Sequence, residues 1–182
     1  MIKTVMGVIV AMLLMINQGC GNVNGGFDEA GSNKSVSEVV ELSDGSLLLN
    51  LKDAYLFNDE NNPDRNTAEW NFSISSVGRY EVWLSSLTRD TMNLQYKNPV
   101  IINFGDKRLQ GQPVGNEIKP DPQDRPFFRA DSRLGSIYVE DPGHYNLQVI
   151  SEKVLPSVGL RESGYNGVST ILDHVILRPL TN

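Results

Sequence analysis

Strict two-residue alternation is what most limits the folds open to this chain. In EWNFSI, residues 69–74, Trp70, Phe72 and Ile74 fall on one face of an extended strand. In RYEVWLS, residues 79–85, Tyr80, Val82 and Leu84 share one face, and Arg79, Glu81 and Trp83 take the other. Successive side chains of a strand point to opposite sides, so such a run buries one side and needs a second layer to cover it. The same β-compatible signal recurs in SLLLNLKDAYLF (46–57), PVIINF (99–104), LGSIYV (134–139), YNLQVIS (145–151) and TILDHVIL (170–177). Turn-forming residues separate the runs at Ser76-Val77-Gly78, Phe104-Gly105-Asp106 and Asp141-Pro142-Gly143. After Cys20 no long stretch carries a helical period. The pattern predicts an all-β chain closed as an antiparallel β-sandwich.

Two strands look alike, GRYEVWLSS (78–86) and GHYNLQVIS (143–151). Each has Gly, one spacer, Tyr and then alternating aliphatics. Their flanks do not match, so they read as one solution reached twice: a strand leaving a tight turn with its aromatic facing inward. Four segments are long and irregular, 58–68, 86–98, 110–126 and 152–168. Connections of that length are uncommon unless they carry function, and in a sandwich they gather at sheet ends and edges.

Composition narrows the partners. Hydrophobic residues are 40% and charged residues 21% of 182, enough for one packed domain. The formal net charge of -6 gives no basic footprint, which argues against nucleic acid. The chain opens with Met1-Ile2-Lys3 and an apolar run from Val5 to Ile16, too short for the about 20 residues that span a bilayer. The run ends at Gly19-Cys20-Gly21, and Cys20 is the one cysteine, without a disulfide partner in the chain. This resembles the lipobox of bacterial lipoproteins, with Asn17 where that motif usually has Leu. It implies a signal peptide over 1–19, a lipid on Cys20 and a place on the outer membrane or cell surface. Residues 20–37, rich in Gly, Asn and Ser, read as a flexible tether, and 38–182 as the sandwich.

The succession AEWNFSISSVGRYEVWLSS, VIINFGDKRLQG, PFFRADSRLGSIYVEDPGHYNLQVIS and LDHVILRP is similar to the galactose-binding-domain-like β-sandwiches. These jelly rolls include carbohydrate-binding modules and the accessory domains of bacterial fucosidases. The resemblance covers about residues 38 to 180 and implies noncatalytic glycan binding near the membrane. Two other readings stay open: a scaffold that contacts a glycan-processing envelope protein, and a small glycan-active hydrolase or lyase.

A sugar site needs an aromatic platform and a few polar groups. Trp83 alternates away from the core face. Tyr96 lies in the segment DTMNLQYKNP, Arg125 and Phe128 flank the start of the 127–139 region, and Tyr165 and Asn166 lie in ESGYNG. Asp64 and Arg65 in NNPDRN are further candidates. The resemblance also implies a structural Ca²⁺, for which Glu41 and Asp173 are the corresponding carboxylates. The acidic segment from Asp59 to Asp64 lacks calcium-loop spacing and reads more simply as solvated. Catalytic motifs are absent: no nucleophile elbow, no H-E-x-x-H, no phosphate loop. Asp173 and His174 are adjacent on a strand, so alternation sends their side chains to opposite faces and denies them a catalytic pairing. A pair of carboxylates for glycoside cleavage is set by distance in the fold, and spacing in sequence does not decide it.

Mass spectrometry of the membrane fraction is expected to find a chain beginning at an acylated Cys20, with Cys20→Ser leaving Met1 in place. An unmodified wild-type chain still starting at Met1 would remove the anchor.

Overall fold

The alternating runs form strands, and the strands form two sheets. The structure, a computed structural model, describes residues 36–121, 126–154 and 169–180. Eleven strands are present among the described residues: β1 (Val40–Glu41), β2 (Leu47–Asn50), β3 (Tyr55–Phe57), β4 (Thr67–Ile74), β5 (Gly78–Thr88), β6 (Val100–Phe104), β7 (Lys107–Gly111), β8 (Glu117–Pro120), β9 (Phe128–Val139), β10 (Gly143–Ile150) and β11 (Thr170–Pro179). A six-stranded sheet runs β1-β2-β11-β5-β9-β8 and a five-stranded sheet runs β3-β4-β10-β6-β7. Every described pairing is antiparallel. The expected β-sandwich is the observed fold. The leader, Cys20 and nearly all of the tether lie outside the described residues.

The core forms where the inner faces meet. Trp70, Phe72 and Ile74 of β4 pack with Tyr80, Val82 and Leu84 of β5, together with inward residues of β6, β9, β10 and β11. Trp70 is fully buried, and its Nε1 donates to the Asn50 carbonyl at 2.8 Å. That bond joins the two sheets, because β4 and β2 lie in different layers. The apolar run 46–57 is accordingly not one strand. It splits at the short 3₁₀ turn Leu51–Asp53, leaving β2 in one sheet and β3 in the other. Three short strands, β1, β7 and β8, lie where no apolar alternation announced them.

Two strands switch parity through β-bulges. Val82 faces Gly135 and Trp83 faces Arg133, so Leu134 is an extra residue in β9. Ser86 faces Leu172 and Ser85 faces His174, so Asp173 is an extra residue in β11. An inserted residue shifts which side chains point inward. Gly135 beside the first bulge has φ 155°, and a Cβ there would sit 3.1 Å from Leu109 Cδ2. The positive φ favours glycine there, and a side chain would also push Leu109 aside.

The sandwich has two unlike ends. Phe57, Thr67 and Ile150 are aligned in one sheet, and Thr88, Phe128 and Thr170 in the other. Arg89 N donates to Ser169 O at 2.9 Å and Ser151 N to Asn66 O at 3.0 Å, tying neighbouring connections together. Connections 58–66, 89–99, 121–127 and 151–169 therefore all leave the same end, here called the loop end. The other end is closed by short turns at 75–77, 105–106 and 140–142. At this turn end the two look-alike strands show their common device. Tyr80 Oη donates to Ser76 O, four residues upstream, and Tyr145 Oη donates to Asp141 O, also four residues upstream.

Tyr80→Phe and Tyr145→Phe are each expected to lower stability by about 0.5–1.5 kcal/mol, the usual net worth of one hydrogen bond. Urea unfolding measures it, and unchanged midpoints for both would show that the hydroxyls do not hold the turns.

Candidate functional site

On the outer face of the six-stranded sheet, the register lines up a polar row across five strands. Asn50 faces His174, His174 faces Ser85, Ser85 faces Asp131, and Asp131 faces Glu117. Trp83 and Ile176 border the row on one side, Leu87 and Ile171 on the other, and all four are buried. Asp131 is wholly buried, and a buried carboxylate persists only when its charge is compensated. Ser85 Oγ donates to Asp131 Oδ1 at 2.7 Å, and Arg129, Arg178 and Lys119 approach Oδ2 at 3.3, 3.5 and 3.9 Å.

A charged lattice lies over this row. Arg178 Nη1 donates to Glu117 Oε1 at 3.0 Å, while its guanidinium carbon stands 4.2 Å from the Trp83 ring centre. Trp83 Nε1 donates to Glu81 Oε2 at 3.0 Å, and Arg133 Nε to Glu81 Oε1 at 2.6 Å. Lys119 Nζ donates to Glu117 Oε2 at 2.7 Å. Hydrogen bonds from Lys119 and then Arg178 hold the Glu117 carboxyl below its ordinary range. For Glu81, partial burial works upward, but the bonds from Trp83 and Arg133 outweigh it and the carboxyl is lowered. Trp83 thus lies off the core, as alternation predicts, yet at 8% exposure it is not an open platform. Arg178 occupies its face.

The second bulge overturns the expectation for Asp173 and His174. As the extra residue, Asp173 is released from strict alternation, and its Oδ2 lies 2.9 Å from His174 Nδ1. Ser85 sits opposite His174, which brings together the residue types of a hydrolase triad. Ser85, however, gives its hydroxyl proton to Asp131 and makes no bond to His174. The nucleophile–base contact of acyl transfer is missing from this arrangement. His174 Nε2 and Arg129 Nε are buried without a hydrogen-bond partner, and Asp131 Oδ2 accepts no hydrogen bond despite its ion pairs. Buried polar atoms are normally paired, so three exceptions on one face call for a cause.

The other candidates are scattered. Tyr96 is buried, not displayed: its hydroxyl lies 2.8 Å from Ser86 Oγ, and burial pushes its phenol well up. Phe128 is 43% exposed at the loop end, facing Pro120 and Thr88. Asp64 and Arg65 lie in the exposed 3₁₀ turn Pro63–Arg65 at the same end. The acidic segment beside them is organised by its own side chains, with Asp59 Oδ1 accepting from Asn61 N and Asn62 N. Arg125, Tyr165 and Asn166 lie outside the described residues. Glu41 and Asp173 are not brought together. Glu41 faces Leu47, which faces Leu177. Four residues along β11 separate that level from Asp173, about 13 Å at the usual strand rise. Among the described residues no three His, Cys, Asp or Glu side chains group as metal ligands.

Sequence reasoning did not find Glu117, Lys119, Arg129, Asp131, Arg133 or Arg178. A signal was present: Glu117 and Lys119, and Arg129, Asp131 and Arg133, alternate at period two, as a charged sheet face requires.

No protein-family model matches the chain, and no curated protein matches it. Solved structures do. The chain is similar to an α-L-fucosidase from Vibrio sp. strain EJY3, with 21% identity and a TM-score of 0.60 over 78% of this chain and 24% of that one. It is also similar to a Podospora anserina GH26-CBM35 β-(1,4)-mannanase, with 10% identity and a TM-score of 0.45 over 76% of this chain and 28% of that one. A third is the CBM36-1 domain of a multidomain xylanase from the hindgut metagenome of Trinervitermes trinervoides, with 9% identity and a TM-score of 0.40 over 75% of this chain and 99% of that one. The fucosidase likeness establishes the fold alone: the sandwich described above recurs within that enzyme. The present chain spans about a quarter of the fucosidase's length.

The lowered Glu117 carboxyl sets a pH dependence. Its contribution to stability is complete above the ordinary glutamate value of about 4.3 and fades as pH falls through the lowered folded value. Glu117→Gln is expected to melt below wild type at neutral pH and to converge with it in acid. A constant gap across that range, measured by thermal melts, would mean that the carboxylate charge is not what stabilises.

Proposed function

We propose that this chain is a noncatalytic glycan-binding module, lipid-anchored through Cys20 at the bacterial outer membrane or cell surface, with the outer face of the larger sheet as its ligand surface. The observation that supports this most is the set of buried, unpaired hydrogen-bonding atoms in the polar row beside Trp83. A sugar supplies what the row lacks. Its hydroxyls both donate and accept, and its C–H face stacks on an indole. Phe128, exposed at the loop-end margin of the same sheet, alternates to the other side of β9 from Arg129 and Asp131 and is not part of this surface.

Access depends on Arg178. Its contact with Trp83 and its pairing with Glu117 are both partly exposed. A cation–π contact at such a site is worth about 0.5–1 kcal/mol and an exposed ion pair about 0–1 kcal/mol. Lifting the guanidinium costs about 1–2 kcal/mol for those two contacts, and it also leaves the buried Asp131 carboxylate to Arg129 and Lys119, so a bound sugar must return more than that. In this reading Arg178 covers an aromatic platform and a ligand displaces it. The fold likeness to part of a fucosidase is consistent with a role beside glycan-active enzymes, and a glycan or a glycan-processing envelope protein is the proposed partner.

A glycan-array screen with the processed chain tests the reading. Binding to a subset of glycans is expected, lost in Trp83→Ala and retained in Arg178→Ala, where the platform is already bare. Silence across the array would end the glycan reading, and binding that survives Trp83→Ala would move the site elsewhere.

A further inference from the structure

The turn end carries a cleft of its own, far from the long connections. About 260 Å³ opens between the two-residue turn Gly105–Asp106 and the turn at 140–142. Its walls are fixed before any ligand arrives. Phe104 and Tyr145 stack with ring centres 5.0 Å apart and planes 11° from parallel. Tyr145 Oη is tied to Asp141 O, which holds the 140–142 turn against that stack. Lys107 Nζ donates to Tyr138 O at 2.6 Å and lies 4.0 Å from Glu140 Oε1, which links the two turns across the opening. A cleft built this way loses little ordering free energy when it binds.

Its chemistry is specific. Tyr138 lines the opening, its carbonyl held by Lys107, and its ring, 49% exposed, leaves β9 on the outer side at the rim of the recess. Asp106, Glu140 and Asp141 surround it, with Lys107 as the one cation among the lining residues. Carboxylates accept hydrogen bonds from hydroxyls about twice as strongly as neutral acceptors do. Three carboxylates against one ammonium also leave a negative field that disfavours anionic ligands. The volume is below the ~300 Å³ at which drug-sized pockets begin, so one sugar ring fills it and a longer chain must extend into solvent.

We propose that this cleft is a second carbohydrate site, taking a single neutral pyranose unit with its C–H face on Tyr138 and its hydroxyls on the surrounding carboxylates. It is independent of the outer-face site. With both occupied, the module engages glycan at two points, and linked sugars gain avidity without any new contact.

The test is a titration of the isotope-labelled full chain, in a sugar-free detergent, with the methyl pyranosides of galactose, glucose, mannose and xylose. Methyl glucuronide serves as the anionic comparison. At least one neutral glycoside is expected to shift the amides of Gly105, Asp106, Glu140 and Asp141 saturably, and the glucuronide to leave them in place. Tyr138→Ala and Asp141→Asn, both at exposed positions, should each weaken that binding by about tenfold without changing the melting temperature. The proposal is overturned if no neutral glycoside moves those amides, if the glucuronide moves them equally, or if Tyr138→Ala binds like wild type. A sugar that shifts only amides around Trp83 and Glu117 overturns this site while supporting the outer-face reading.

Discussion

Burying Trp70 between the sheets requires a partner for its indole N–H, and the Asn50 carbonyl supplies it from the opposite layer. A buried donor left unpaired would cost about 1–3 kcal/mol, a large fraction of a domain's stability. The bond therefore does more than add to packing. It fixes where the chain leaves the first sheet, because Asn50 ends β2 and the next three residues carry the backbone across to the second. With that crossing set, β4 faces β5 and the alternating apolar side chains of both close into one interior.

The outer face follows from the same economy of polar groups. The six-stranded sheet places Asp131 where no water reaches it, so cations must gather around it, and Arg129, Arg178 and Lys119 do. Glu117 answers two of those cations, Lys119 and Arg178, and beside them Glu81 pairs with Arg133. The result is a lattice of surface pairs, individually weak, anchored to one buried carboxylate whose removal from water makes the inner pairs matter. Trp83 sits inside that lattice as a structural member, its N–H bonded and its ring covered. A residue that is both part of the scaffold and the best aromatic platform ties ligand binding to local rearrangement.

The two ends of the sandwich divide the work differently. Turns of two or three residues, two of them held by tyrosine hydroxyls, close the turn end, and the cleft lies between two of these turns. The other end is where the long connections leave the sheets, and among the described residues those connections send Leu94, Tyr96 and Val154 into the core.

Much was legible from the sequence alone. Period-two hydrophobicity determined the all-β class, the inward set of β4, β5 and β10 and the outward placement of Trp83, because a pleated strand allows only two faces. The repeated G-x-Y pattern pointed to two strands leaving tight turns with their aromatics inward, and the structure added that the tyrosine hydroxyls hold those turns. What only the tertiary structure decided are relations between residues distant in sequence and departures from the regular period. Arg178 reaches Glu117 across 61 positions, and Ser85 reaches Asp131 across 46. Tyr96, read as displayed, is buried because its connection folds back onto Ser86. Asp173 meets His174 because one extra residue breaks the alternation that would have parted them. Alternation is a local property of the backbone and shows in any short window. Bulges and cross-strand neighbours arise from register, which is settled only when both strands are in place.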